Sequence, residues 1–76
     1  MTLDLAVGAS IRTIRKRKGW FVIDLADEIP MSRSYLSEVE NGHKLPSIGL
    51  LGDIATALQI PVAELWLEIY KNLREE

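Results

Sequence analysis

The sequence encodes an all-α protein, a compact five-helix bundle. Apolar residues recur at intervals of three and four through most of the chain, as the buried face of a helix requires. Hydroxyl or proline residues precede these runs and glycines follow several of them, while no stretch of useful length alternates as a strand would. With 76 residues the chain suits one domain, 1–76, near the lower size at which a single core holds unaided. It has no cysteine, so neither a disulfide nor a thiolate metal site can supplement that core.

Helix 1, over 4–18, places Val7, Ile11 and Ile14 on one face. It gathers Arg12, Arg15, Lys16, Arg17 and Lys18 toward its C-terminal end, where cations suit the helix dipole, and Gly19 stops it. Helix 2, over 22–29, buries Leu25, Ala26 and Ile29, and Pro30-Met31 separates it from the next run. Helix 3, over 32–40, opens at the Ser32 hydroxyl, repeats Tyr35, Leu36 and Val39 at helical spacing, and ends at Asn41-Gly42. Ser47 caps helix 4, whose stripe is Ile48, Leu51, Ile54, Ala55 and Leu58. Gly49 and Gly52 within it cost about 1 kcal/mol each against alanine, and either permit close helix packing or merely weaken this helix. Helix 5 opens at Pro61 and runs to Arg74 with Val62, Leu65, Trp66, Ile69, Tyr70 and Leu73 as its apolar face.

Two short helices joined by about three residues have the outline of a helix-turn-helix, whose second helix enters the DNA major groove. The chain resembles the Xre/Cro family of lambda-repressor-like DNA-binding domains over residues 7–67. The resemblance is carried by Ile11-Arg12-x-x-Arg15, Gly19, Leu25-Ala26, Ser32-Arg33-Ser34-Tyr35-Leu36-Ser37, Glu40-Asn41-Gly42, Pro46-Ser47 and Ile54-Ala55-x-x-Leu58. Each piece is weak alone, but their order and spacing together are specific.

The resemblance implies that Arg33, Ser34, Ser37 and Glu38 face base edges, that Ser32, Tyr35 and Asn41 face phosphate, and that Lys44 lies near DNA. Side-chain chemistry agrees for several of these. Arg33 can donate a bidentate pair to guanine, and Ser34 can contact either base type. Glu38 offers an acceptor to cytosine but repels phosphate, and a solvated acid reads equally well there. Tyr35 reads also as a half-buried ring with its hydroxyl at the edge. The resemblance further implies that Arg15 and Glu40 form a structural ion pair between helices 1 and 3, rather than a functional site. Arg12, Lys16, Arg17 and Lys18 suit either DNA backbone or ordinary solvent.

The sequence departs from the family where helix 2 begins. A hydroxyl residue followed by a phosphate-holding glutamine is replaced by Phe21-Val22, and the glycine of the turn by Pro30, which cannot take a positive φ. Trp20-Phe21-Val22-Ile23 is too apolar for four successive solvent positions, so part of it is core, Trp20 first, and the rest an exposed patch.

Net charge is −2, unlike the basic footprint usual for nucleic-acid binding, yet the charge is polarised. Residues 1–44 carry +1 and residues 45–76 carry −3, which leaves the acidic excess away from helix 3. The expected function is a sequence-specific regulator binding double-stranded DNA as a homodimer on a palindromic operator. Trp66, Ile69, Tyr70 and Leu73, in the extended C-terminal helix 61–76, are the expected dimer surface. The competing reading is a protein-interaction module on the same scaffold, taking a partner through Phe21 and Val22. An enzyme is not expected: no nucleophile-base, phosphate-loop or metal spacing occurs, no cofactor is implied, and His43 is the sole histidine. No apolar run is long enough for a bilayer and Met1-Thr2-Leu3-Asp4 does not begin a signal peptide, so the expected compartment is the cytoplasm.

Overall fold

Side-chain hydroxyls start three of the five helices in the computed structural model, which describes residues 1–75. The helices are α1 (Leu3–Arg17), α2 (Val22–Ala26), α3 (Arg33–Glu40), α4 (Ile48–Ala57) and α5 (Val62–Arg74), with no strand among the described residues. Thr2, Ser32 and Ser47 accept the N–H groups of Leu5, Tyr35 and Leu50 at 3.3, 3.1 and 3.1 Å. Each satisfies one of the donors that a helix start leaves open.

α1, α3 and α4 all stop the same way, with a residue in the left-handed region and two backward hydrogen bonds, the Schellman arrangement. Gly19 (φ 75°) closes α1 and Gly42 (φ 81°) closes α3. At α3 the pair is Gly42 N–H to the Val39 carbonyl, 3.0 Å, and His43 N–H to the Glu38 carbonyl, 2.9 Å. At α4 the left-handed residue is Gln59 (φ 61°), whose Cβ makes that conformation unfavourable. No glycine marks this end in the sequence.

α2 is three residues shorter than its apolar pattern predicts. Pro30 disfavours the helical conformation at the residue before it, so the chain tightens into bonds from Glu28 N–H to Leu25 (3.0 Å) and Ile29 N–H to Ala26 (3.4 Å). Met31 N–H then bonds the Ile29 carbonyl at 2.8 Å, a three-residue turn centred on Pro30. That turn connects α2 to α3 without the left-handed glycine usual at this place. Ile29 remains buried although it lies outside the helix.

One hydrophobic core joins the helices, with Ile11, Leu25, Leu36, Ile54, Leu58 and Leu65 fully enclosed. α1 is its spine, packed by both α3 and α5. Gly8 brings α1 against α3: a Cβ there would collide with the Val39 and Glu40 carbonyl oxygens. Gly8, Arg12 and Arg15 share that face, whereas Ser10 and Arg17 meet α5. Two residues along a helix is roughly 200° of rotation, so α3 and α5 lie on nearly opposite sides of α1.

In α4 one expectation is corrected and one open choice is decided. Ile48 is 78% exposed rather than core, because it occupies the first helical position with no other element over it. Gly49 and Gly52 have open space where a Cβ would stand, so they bring no helix close. Trp20, in contrast, packs half-buried against the core as expected. No single helix among the described residues is long and apolar enough to cross a membrane.

Candidate nucleic-acid interface

α3 is amphipathic in a way that separates support from presentation. Leu36, Val39 and Glu40 point inward, while Arg33 and Ser34 are exposed and Ser37 and Glu38 half-exposed on the outer side. Tyr35 lies between the two, half-buried against the core.

The inward end is held by charge. Arg15 Nε donates to Glu40 Oε2 at 2.7 Å and Arg15 Nη2 to Glu40 Oε1 at 2.8 Å, a bidentate pair with both side chains buried. Arg15 Nη1 also donates to the Trp20 carbonyl at 2.6 Å, which ties the start of the α1–α2 connection into the same cluster. The Glu40 hydrogen bond, opposed in part by burial, raises the Arg15 guanidinium pKa above its ordinary value. Every buried side-chain nitrogen and oxygen among the described residues has a partner. The cluster therefore ties α3 to α1 with no buried side-chain nitrogen or oxygen left without a partner.

Arg12 extends this network instead of standing free. It reaches Glu40 Oε1 at 3.4 Å and donates to Asn41 Oδ1 at 2.6 Å. With its oxygen occupied, Asn41 keeps its amide N–H groups for an outside acceptor such as phosphate. Arg17 faces the other way, pairing with Glu68 of α5 at 3.2 Å, and so stands on the side of α1 opposite α3. Arg33 and Lys44 form no ion pair among the described residues. His43 is exposed, and Glu40 bonds to arginines rather than to it.

The start of α2 forms the other wall of the site. Phe21, Val22 and Ile23 line an open groove with Arg33, Ser34, Ser37 and Glu38. Phe21 occupies the cap position and has no side-chain acceptor. Only the reciprocal contact is made, with Phe21 N–H donating to Asp24 Oδ2 at 2.7 Å. Phe21 is 76% exposed, whereas Val22 packs partly against the core.

α5 departs from the expected dimer surface. Ile69 is 1% exposed and Leu73 packs partly into the core, because both lie on the side of α5 that meets α1. Ser10 and Asn72, which the apolar pattern could not flag, join at 2.7 Å across the same junction. The large apolar side chains that α5 leaves in water are Val62, Trp66, Leu67 and Tyr70, with Trp66 40% and Tyr70 53% exposed.

A solvent-facing helix braced from behind and joined by a short turn to a second helix is the arrangement of a helix-turn-helix protein. The chain belongs to the helix-turn-helix family, which it matches over residues 11–65. It is 39% identical over 70 residues to the transcriptional regulator ClgR of Mycobacterium tuberculosis, covering 92% of this chain and 62% of ClgR. It is 41% identical over 61 residues to the HTH-type transcriptional regulator SlrR of Bacillus subtilis, covering 79% of this chain and 40% of SlrR. The chain thus spans less than two thirds of the length of these relatives. Among solved structures, ClgR from C. glutamicum superposes with a TM-score of 0.93 at 34% identity, covering 100% of this chain and 99% of that one. The restriction-modification controller C.Esp1396I, a tetramer in complex with its 35 base-pair operator, gives 0.90 at 25% identity, with 99% of each chain covered.

Proposed function

We propose that this protein is a sequence-specific transcription regulator that binds double-stranded DNA as a homodimer on a palindromic operator. The observation that carries the proposal is the outer face of α3. It bears Arg33, unpaired among the described residues, beside Ser34 and Ser37, and the buried Arg15–Glu40 pair holds the helix from behind. In this reading Arg33, Ser34, Ser37 and Glu38 face base edges. Ser32, Tyr35, the free amide of Asn41 and Lys44 contact the backbone. Dimerisation uses Trp66 and Tyr70, joined by Val62 and Leu67, with Leu73 at the margin; Ile69 takes no part. A two-fold pairing through one patch on each subunit would set two reading helices about 34 Å apart, one DNA turn. Chromosomal DNA as the partner makes the cytoplasm the expected compartment.

Fluorescence anisotropy on a duplex recovered from a random library tests this reading. Log affinity should fall linearly with log salt, with a slope set by the number of phosphates neutralised. Binding that ignores salt, or the same affinity for every duplex, would exclude a sequence-specific regulator. The exposure of Phe21 supports a second reading, a protein partner docked on Phe21 and Val22. Recovery of one such partner by a protein that retains no DNA would favour it.

A further inference from the structure

We propose that Phe21, with Val22 and Ile23 beside it, is a specificity-determining contact for the methyl group of a thymine in the DNA half-site. The inference rests on α3 being the reading helix. Phe21, Val22 and Ile23 share one open groove with Arg33, Ser34, Ser37 and Glu38. A base edge presented to Arg33 therefore arrives beside an apolar wall. At 76% exposed, Phe21 is more open to solvent than Trp66 or Tyr70, at 40% and 53%, and its ring is available for contact without refolding.

Charge decides what that wall can meet. Asp24 Oδ2 already accepts the Phe21 N–H, at 2.7 Å, so a carboxylate occupies the backbone donor at this end of α2. Its negative charge repels phosphate, and neither the Phe21 nor the Val22 side chain carries a donor to replace that contact. An apolar group is compatible with the same wall. On the major-groove edge of a base pair the apolar group is the thymine C5 methyl. The loss of polarity at the start of α2 is thus an exchange: a contact indifferent to sequence gives way to one that reads a base.

Replacing thymine by uracil in the selected duplex, one position at a time, removes that methyl and leaves base pairing intact. For the unaltered protein one position in each half-site, next to the guanine read by Arg33, should lose about fourfold in affinity with uracil, the value of burying one such group. Phe21→Ala should bind thymine and uracil duplexes alike at that position, and Phe21→Leu should retain part of the difference. Both variants should melt close to the unaltered protein, since the ring is mostly in water. Should either fail to fold, the uracil scan of the unaltered protein still decides. Salt-dependent binding with no uracil penalty anywhere overturns the thymine contact while leaving α3 as the reading helix. A penalty undiminished in Phe21→Ala also overturns it, as does a Phe21→Ala variant with unchanged DNA affinity that has lost a protein partner. Absence of salt-dependent binding to any duplex removes the reading-helix assignment together with the contact.

Discussion

α3 and α5 are both amphipathic and both pack on α1, but they leave different surfaces in water. The outer face of α3 is Arg33, Ser34, Ser37 and Glu38, whereas α5 exposes the large apolar side chains Val62, Trp66, Leu67 and Tyr70 beside Glu64, Lys71 and Arg74. Their attachments differ as well. α3 is fixed by the buried Arg15–Glu40 pair and by the close approach at Gly8. α5 is held by Leu65 and Ile69, the Ser10–Asn72 hydrogen bond and the exposed Arg17–Glu68 pair. A polar outer face is stable alone and free to exchange water for a polar ligand. An apolar one gains free energy only by being covered.

The largest test of this contrast lies behind α3. Arg15→Ala removes the bidentate partner of the buried Glu40 carboxylate, leaving it only the 3.4 Å contact with Arg12, and should cost about 3 kcal/mol by urea denaturation. Arg17→Ala, on the α5 side where the arginine is 61% exposed, should stay within about 1 kcal/mol. The raised Arg15 pKa sets the sign of any pH effect. Its contribution to stability is complete below the ordinary arginine value and fades only as pH rises through the raised one. An alkaline titration that stops short of that range should leave the difference between unaltered and Arg15→Ala proteins constant.

On α5, Trp66→Asp combined with Tyr70→Asp should raise the dimer dissociation constant about a hundredfold, since each ring loses its cover. Sedimentation should show a folded monomer that binds the operator more weakly. A folded variant that stays dimeric would remove α5 from the interface. Ile69→Asp cannot serve for this test, because it places a charge in the core and unfolds the monomer.

On the outer face of α3 the expected effects are on binding alone. Arg33→Ala should cost about 1–3 kcal/mol of DNA affinity and relax preference at one base position. Lys44→Ala should weaken all sequences alike and flatten the salt slope by about one unit. Equal, sequence-blind losses from both would contradict a base contact at Arg33. The smallest change belongs to neither face: Gln59→Gly relieves a left-handed φ at the end of α4. It should stabilise by about 0.5 kcal/mol after the entropy that glycine adds to the unfolded chain, read as a rise in melting temperature.

Local chemistry was legible in advance. The hydroxyls of Ser32 and Ser47 and the glycines 19 and 42 act on backbone groups a few residues away, so their neighbours in sequence suffice to read them. Tyr35 as a half-buried ring follows from the same helical spacing that places Leu36 and Val39 inward. The end of α2 was misplaced by three residues because the apolar period continues to Ile29, while the steric effect of Pro30 acts backward and wins. Gln59 left no signal, since nothing local distinguishes a glutamine that must turn left-handed from one that continues a helix.

By itself the sequence determined the five-helix count, the serine caps of α3 and α4, the glycine stops of α1 and α3, and the helix-turn-helix spacing. All of these depend on groups within a turn or two of one another. Tertiary structure decided which side of each apolar stripe is covered. The apolar arc of α5 is wider than α1 can bury, so period alone could not say that Ile69 goes inside while Trp66 and Tyr70 stay outside. The same holds for α1, where Gly8 proved to be the point of closest approach, and for Arg12 and Arg17, alike in sequence but turned toward α3 and α5. Burial and partnership are properties of pairs of surfaces, and they exist only once the helices have docked.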